Sequence, residues 1–211
     1  MNCSQSRVTL PCSLGWVTPI FVHSVDFLQN SFDKKTKVFQ KNGVVELFQT
    51  TLKGNIIIES DSIIKVGNSA ILEDIILIAP TVEIAEGFKG NAQVFATKKI
   101  DVAKNCKLNY PTSLVVFDAG EKGLISVSES STVKGVVSYF KKNSKKETYK
   151  ANVFLGNNTV LSGELYSAGS LELRGQVHGS VYTNWFIVNQ SGSVYMNHIY
   201  NGAIDSEKLP K

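Results

Sequence analysis

Three cysteines and three histidines in 211 residues give redox and metal chemistry little to work with. Cys3, Cys12 and Cys106 are an odd count at no framework spacing, and neither CxxC nor HxxxH occurs. A disulfide scaffold and a structural metal site are therefore excluded as organising devices, and no cofactor is expected. Helical signals are also missing: no stretch holds the 3.6-residue apolar beat of an amphipathic helix. No run is long and clean enough to span a bilayer. Residues 8–28 are apolar but broken by Pro11, Pro19, His23 and Asp26. They lack the basic start and the small-residue cleavage site of a secretory signal. No GxSxG elbow accompanies the serines, and no strand-to-helix turn with its lysine follows the glycines of residues 163–179, so neither a hydrolase elbow nor a phosphate loop is present. Charge of one sign is scarce and local. The net charge of +4 is accounted for by Lys141, Lys142, Lys145, Lys146 and Lys150 set against Glu147.

What the chain does have is a beat of six. From Leu52 it runs through Ile58, Ile64, Ala70, Ile76, Val82, Phe88, Val94, Ile100 and Cys106. A second line follows two residues behind, through Val66, Leu72, Ile78, Ile84, Gly90, Ala96, Val102 and Leu108. The strongest matches recur at eighteen: Ile64, Val82 and Ile100. Three short strands and three corners per eighteen residues describe an all-β chain wound as a single-stranded triangular β-helix, a β-solenoid. Roughly eight coils at the ~4.8 Å strand spacing would make a rod about 40 Å long. Gly67-Asn68, Glu86-Gly87, Lys104-Asn105 and Gly156-Asn157-Asn158 supply corner residues that tolerate left-handed backbone angles. Cys106 falls on the inward beat and reads as a small buried apolar group.

The beat divides the chain. Residues 1–43 form a leader, either disordered or membrane-associating, with Trp16, Phe21, Phe27 and Leu28 as the membrane contacts. Residues 44–205 form the β-helix, interrupted by insertions near 109–123, where Tyr110-Pro111-Thr112 breaks the beat, and near 140–152. Residues 206–211 are a polar tail. The second insertion carries Lys141, Lys142, Lys145 and Lys146 beside Tyr139, Phe140 and Tyr149, a set suited to an anionic partner such as a membrane face. Nucleic acid is not expected, because a charge run of this kind is ordinarily a solvated loop.

Residues 160–182 read VLSGELYSAGSLELRGQVHGSVY, and Phe186-Ile187-Val188 followed by Gly192-Ser193-Val194-Tyr195 begins the pattern again. This stretch resembles the bactofilins, polymer-forming bacterial cytoskeletal proteins, over residues 159–204. The resemblance implies a compact right-handed β-helix that binds no nucleotide and assembles end to end. It also implies a cytoplasmic scaffold, at the inner face of the bacterial membrane, that organises envelope or cell-wall machinery. The expected partners are further copies of the chain, an anionic membrane surface or envelope proteins.

A terminal coil exposes unpaired backbone groups and an apolar end, which argues independently for self-association. Val188, Val194 and Ile199 are the expected contacts, with Val177, Gly179 and Val181 in the core beneath. The alternative is a hexapeptide-repeat acyltransferase, a left-handed β-helix with the same beat. It needs a histidine base beside a groove. His178, expected to point outward, and His198, on the inward beat, are the candidates. No Asp or Glu stands six or eighteen residues from His178 in an obvious orienting place, so no catalytic residue is assigned and a non-enzymatic role is expected.

Overall fold

The computed structural model describes residues 27–119, 123–141 and 150–208. Among these there are eighteen strands, no α-helix, and one 3-10 turn at Ser206–Lys208. The first strands are β1 (Phe27–Asn30), β2 (Lys37–Lys41), β3 (Val45–Leu47), β4 (Thr51–Gly54), β5 (Ile56–Ser60) and β6 (Ile63–Val66). Next come β7 (Ile71–Glu73), β8 (Ile75–Ile84), β9 (Lys89–Gly90), β10 (Ala92–Val102), β11 (Lys107–Ala119) and β12 (Leu124–Val127). The last are β13 (Thr132–Lys141), β14 (Val153–Leu155), β15 (Val160–Leu173), β16 (Gln176–Gln190), β17 (Ser193–Met196) and β18 (Ala203–Asp205). They form a three-stranded sheet, β1-β4-β7, and a large sheet of fifteen strands. Every pairing in these two sheets is parallel; β17 alone runs antiparallel to its neighbour, β16.

Parallel strands cannot be joined by tight hairpins, so each returns to its neighbour after a long excursion. Here the excursion consists of further strands. Ile64 lies opposite Val82, Val82 opposite Ile100, and Ile100 opposite Ile125, as the spacing of eighteen predicts for the first two steps. The column continues through Val153 and Leu171 to Phe186. A second column runs Ile58, Leu77, Val94, Leu114, Val137, Leu165 and Val181. A third runs Gly90, Leu108, Val133, Leu161, Val177 and Ile204. The columns feed one core, in which Ile64, Val82, Ile100, Leu114, Val137 and Leu165 are fully buried. Each such side chain contributes about 1.5–3 kcal/mol by leaving water. Six strands pair in a closed ring, β10-β12-β14-β15-β13-β11. The ring closes because β10 and β15 each give one end to one neighbour and the other end to another.

Three expectations change, and the insertion expected near 140–152 falls mostly outside the described residues. The paired region begins at Phe27 rather than at residue 44, because β1 pairs β4 and β2 pairs β5; residues 1–26 lie outside the described residues. The expected insertion near 109–123 is ladder for most of its length, since β11 pairs β10 and β13. Pro111 is tolerated because the register shifts between Leu108 and Thr112, so the ladder does not need its missing N–H. Near 140–152, β13 runs on to Lys141 and Asn152 is buried; residues 142–149 lie outside the described residues. Finally, the beat slips by one residue in β8. Ile75, Leu77 and Ala79 are buried there, while Ile76 and Ile78 point outward and stay partly exposed.

Positive backbone angles appear at three expected corners, with φ of 78° at Gly87, 60° at Asn105 and 57° at Asn158. A different requirement stacks Gly135, Gly163 and Gly179 in consecutive register positions, with φ of 139°, 143° and 149°. A Cβ on Gly163 would run into the carbonyl oxygen of Gly135, and one on Gly135 into that of Thr112. No buried side-chain nitrogen or oxygen among the described residues lacks a partner. Asn152 shows how this is achieved: its amide donates to Gly123 O and Tyr139 Oη, each at 3.1 Å, and its Oδ1 accepts from Ser170 N.

Gly163→Ala is expected to cost about 2–4 kcal/mol in urea unfolding. Gly43→Ala, where φ is +90° but the space is open, should cost about 1 kcal/mol; equal losses would disprove the stacking argument. Burial pushes the Cys106 thiol up, more than the backbone N–H groups of Phe88 and Gly87 pull it down. Burial also raises the phenol of Tyr139. Both groups are held protonated in the fold. Their contribution is complete below the ordinary thiol value of about 8.5 and is lost as pH climbs past it, then past about 10 for the phenol. Thermal unfolding between pH 7 and 10.5 should show this decline, and Cys106→Ala should flatten its earlier part.

Candidate functional site

The carboxyl-terminal end of the ladder is built by β16, β17 and β18. β16 gives one edge to β15 over most of its length. On the other edge, residues 176–178 pair with β18 and residues 187–190 with β17. Between them, among the described residues, no strand pairs the outer edge of residues 180–185.

The sequence makes this end by reversing. Gln190 pairs Ser193, and the two residues between them, Ser191 and Gly192, have φ of 52° and 81°. Positive angles at both central residues are the two-residue hairpin turn whose twist matches its strands. The six-residue beat therefore does not continue through Gly192 and His198 as expected. His198 is exposed, its Nδ1 2.6 Å from Met196 O, and it does not cap the core.

One group fixes the hairpin to the body. Glu172 is 5% exposed, and its Oε1 accepts from Arg174 Nε at 2.8 Å. Its Oε2 accepts from Asn189 Nδ2 at 3.0 Å, while Arg174 Nη2 donates to Asn189 O at 2.6 Å. A nearly buried carboxylate with both oxygens occupied ties β15 to β16 close to the hairpin turn.

The last side chains of the three columns are not sealed. Phe186 and Val181 are partly exposed, and Ile204, at the core position above Val177, is 41% exposed. Val194 and Ile199, two of the expected contacts, are exposed nearby, together with Tyr195 and Tyr200. Val188, the third, is 4% exposed and lies opposite Tyr195, which makes it part of the core. The sequence reading passed over Ile204; its signal was the aliphatic residue that returns after the hairpin.

At the amino-terminal end Leu28 lies opposite Leu52 and packs against the core, and Phe27 beside it is exposed. Of the expected membrane contacts, then, Phe27 is free to meet a surface and Leu28 is committed inward. Trp16 and Phe21 lie outside the described residues, as do Lys142, Lys145 and Lys146. Lys141 is the last residue of β13 and is partly exposed. A small cavity of about 20 Å³ lies at this end, lined by Leu28, Phe39, Val45, Leu47, Thr50, Leu52 and Ile58. No helix among the described residues is long and apolar enough to cross a membrane.

His178 points outward, as expected. The detour through the hairpin brings Asp205 into register beside it, with Ser162 on the other side. The residue types of a hydrolytic triad thus stand in one row. Their geometry is not that of a triad, because His178 Nε2 meets Gln176 Oε1 at 3.3 Å rather than either neighbour. No group of three metal-ligating side chains occurs among the described residues.

Glu172→Ala should cost about 1–3 kcal/mol and speed hydrogen exchange in residues 187–196 more than elsewhere. Glu164→Ala, at an exposed position, should stay within about 0.5 kcal/mol. Uniform exchange across the chain in the first variant would refute the tie.

In comparison with known proteins, no family model, no curated protein and no solved structure matches the chain.

Proposed function

We propose that the chain is a right-handed β-helix of the bactofilin-like kind, and that it works as a non-catalytic scaffold which joins copies of itself through its coil ends. The observation that carries this reading is Ile204, a side chain at a core position left 41% exposed because no further strand among the described residues covers it. Val181 and Phe186 end the other two columns in the same way. An apolar end beside an unpaired strand edge is the surface that sheet proteins ordinarily cover, and another copy of the chain is its natural cover. The three columns of inward side chains in parallel register support the β-helix, and the glycine-rich run of residues 160–182 supports the family. On this reading the rod serves envelope or cell-wall machinery from the cytoplasmic face of a bacterial membrane, with Phe27 and the leader on the lipid side.

Electron micrographs and sedimentation velocity at micromolar concentration test it. The parent chain should form elongated assemblies, and Ile204→Asp or Ile199→Asp should shorten or abolish them while circular dichroism stays unchanged. If the aspartate variants assemble as the parent does, the end contact is refuted.

A further inference from the structure

The carboxyl-terminal end of the ladder carries a notch one strand thick. β18 pairs the outer edge of β16 at residues 176–178, and β17 pairs it at residues 187–190. Each therefore stands one strand spacing, about 4.8 Å, beyond β16. Between them the outer edge of residues 180–185 has no backbone partner among the described residues. The turn Ser206–Lys208 packs on β16 but forms no backbone hydrogen bond with that stretch. Every second residue of a parallel strand turns its N–H and C=O to the same edge, so the notch has a floor of unpaired backbone groups. Val181 and Phe186 line it and are partly exposed, with Ile204 41% exposed beside them. A flat surface brought to this end meets β17 and β18 first. Only a single extended strand reaches the edge of residues 180–185.

The two rungs below the notch say what kind of strand belongs there. Residues 165–167 and 181–183 lie opposite one another and repeat one pattern: an aliphatic residue, a ring-bearing residue and a hydroxyl. Leu165 and Ser167 are buried, and Tyr166 between them is exposed; Val181-Tyr182-Thr183 follows suit with Tyr182 exposed. In both rungs the hydroxyl holds the backbone two residues on. Ser167 Oγ accepts from Gly169 N at 3.3 Å, and Thr183 Oγ1 donates to Trp185 O at 3.2 Å. The pattern occurs once more in the chain, at Val22-His23-Ser24. These residues lead into Phe27, which is exposed at the amino-terminal end. We infer that Val22-His23-Ser24 of a second copy enters the notch as a parallel strand, with Val22 on Val181, Ser24 on Thr183 and His23 beside Tyr182. This rests on the end-to-end reading above and names the segment that makes the contact. Within one chain, Phe27 and the notch are separated by seven strand-to-strand steps, about 34 Å. Where copies join end to end, the same segment of the next copy starts beside the notch. Insertion gives residues 180–185 their missing ladder and covers Val181, and it buries no Lys, Arg, Asp or Glu from either strand triplet. Trp16 stays outside the notch and is left free to meet lipid.

Sedimentation velocity at micromolar concentration compares the full chain with its Val22→Asp and Ile204→Asp variants. Val22 precedes the first strand, so circular dichroism of its variant should match the parent. The expected result is association roughly tenfold weaker in Val22→Asp. Backbone hydrogen exchange at residues 180–185 should be slow in the assembled parent and fast in that variant. Assembly kept by Val22→Asp but lost by Ile204→Asp overturns the inserted strand and leaves the end contact standing. A monomeric parent overturns both. Loss of assembly in Val22→Asp while residues 180–185 exchange fast in the assembled parent also overturns insertion, because the segment then acts somewhere else. A photo-crosslinking phenylalanine analogue placed at His23 gives a readout that needs no charged variant. In a mixture of isotope-labelled and unlabelled chains it should capture the segment around Tyr182 of the other copy. Capture within its own copy, or of any other segment, overturns the proposal.

Discussion

The constraint on which the structure depends is register between parallel strands. A parallel ladder has no tight turn to hold it, so its alignment must come from the side chains that it stacks. Here most of the stacked side chains are aliphatic and meet their own kind, Ile64 on Val82 on Ile100, or Leu114 on Val137 on Leu165. A shift of one residue would turn a whole column outward. The core thus acts as the registration device as well as the main source of stability. The corners need only avoid interfering, which glycine and asparagine at positive φ accomplish.

The same constraint explains why the buried polar side chains among the described residues all have partners. Asn152 and Tyr139 share a hydrogen bond beside the strands where the spacing between rungs is widest, and Asn152 also holds the backbone of Gly123 and Ser170. Glu172 plays the matching part at the carboxyl-terminal end. Both tie segments that lie far apart in sequence where aliphatic stacking alone would leave the backbone free to drift. The exposed ion pairs, such as Lys53 with Glu73, contribute little beside them.

How much of this was legible follows from the local signal at each place. Ile64, Val82 and Ile100 could be read because one face of each strand is apolar and the other charged, with Lys65, Glu83 and Asp101 alternating against them. In β8 both faces are apolar, from Ile75 to Ala79, so alternation carries no information and the beat landed on Ile76 and Ile78, the outward pair. That ambiguity has a simple cause: a strand apolar on both sides conceals which side is buried. Pro111 was read as a break because proline ordinarily ends a ladder, and only the register shows that it occupies a skip. Ser191-Gly192 is a short turn signal set inside a strong repeat, and the repeat outweighed it. Of the end contacts, Val194 and Ile199 were visible as aliphatic residues late in the chain. Ile204 and the nearness of Asp205 to His178 were not, because both depend on how far the chain wanders before it returns.

The hairpin at Ser191-Gly192 also limits how much of the ladder's last edge a further parallel strand can take. A stack of like rungs contains no internal instruction to stop, since each new rung offers the next the same edge it received. Reversing one strand removes that sameness over residues 187–190, and the later parallel strand, β18, meets β16 only at residues 176–178. Two residues with left-handed angles therefore serve as a partial stop in a grammar that otherwise permits indefinite repetition.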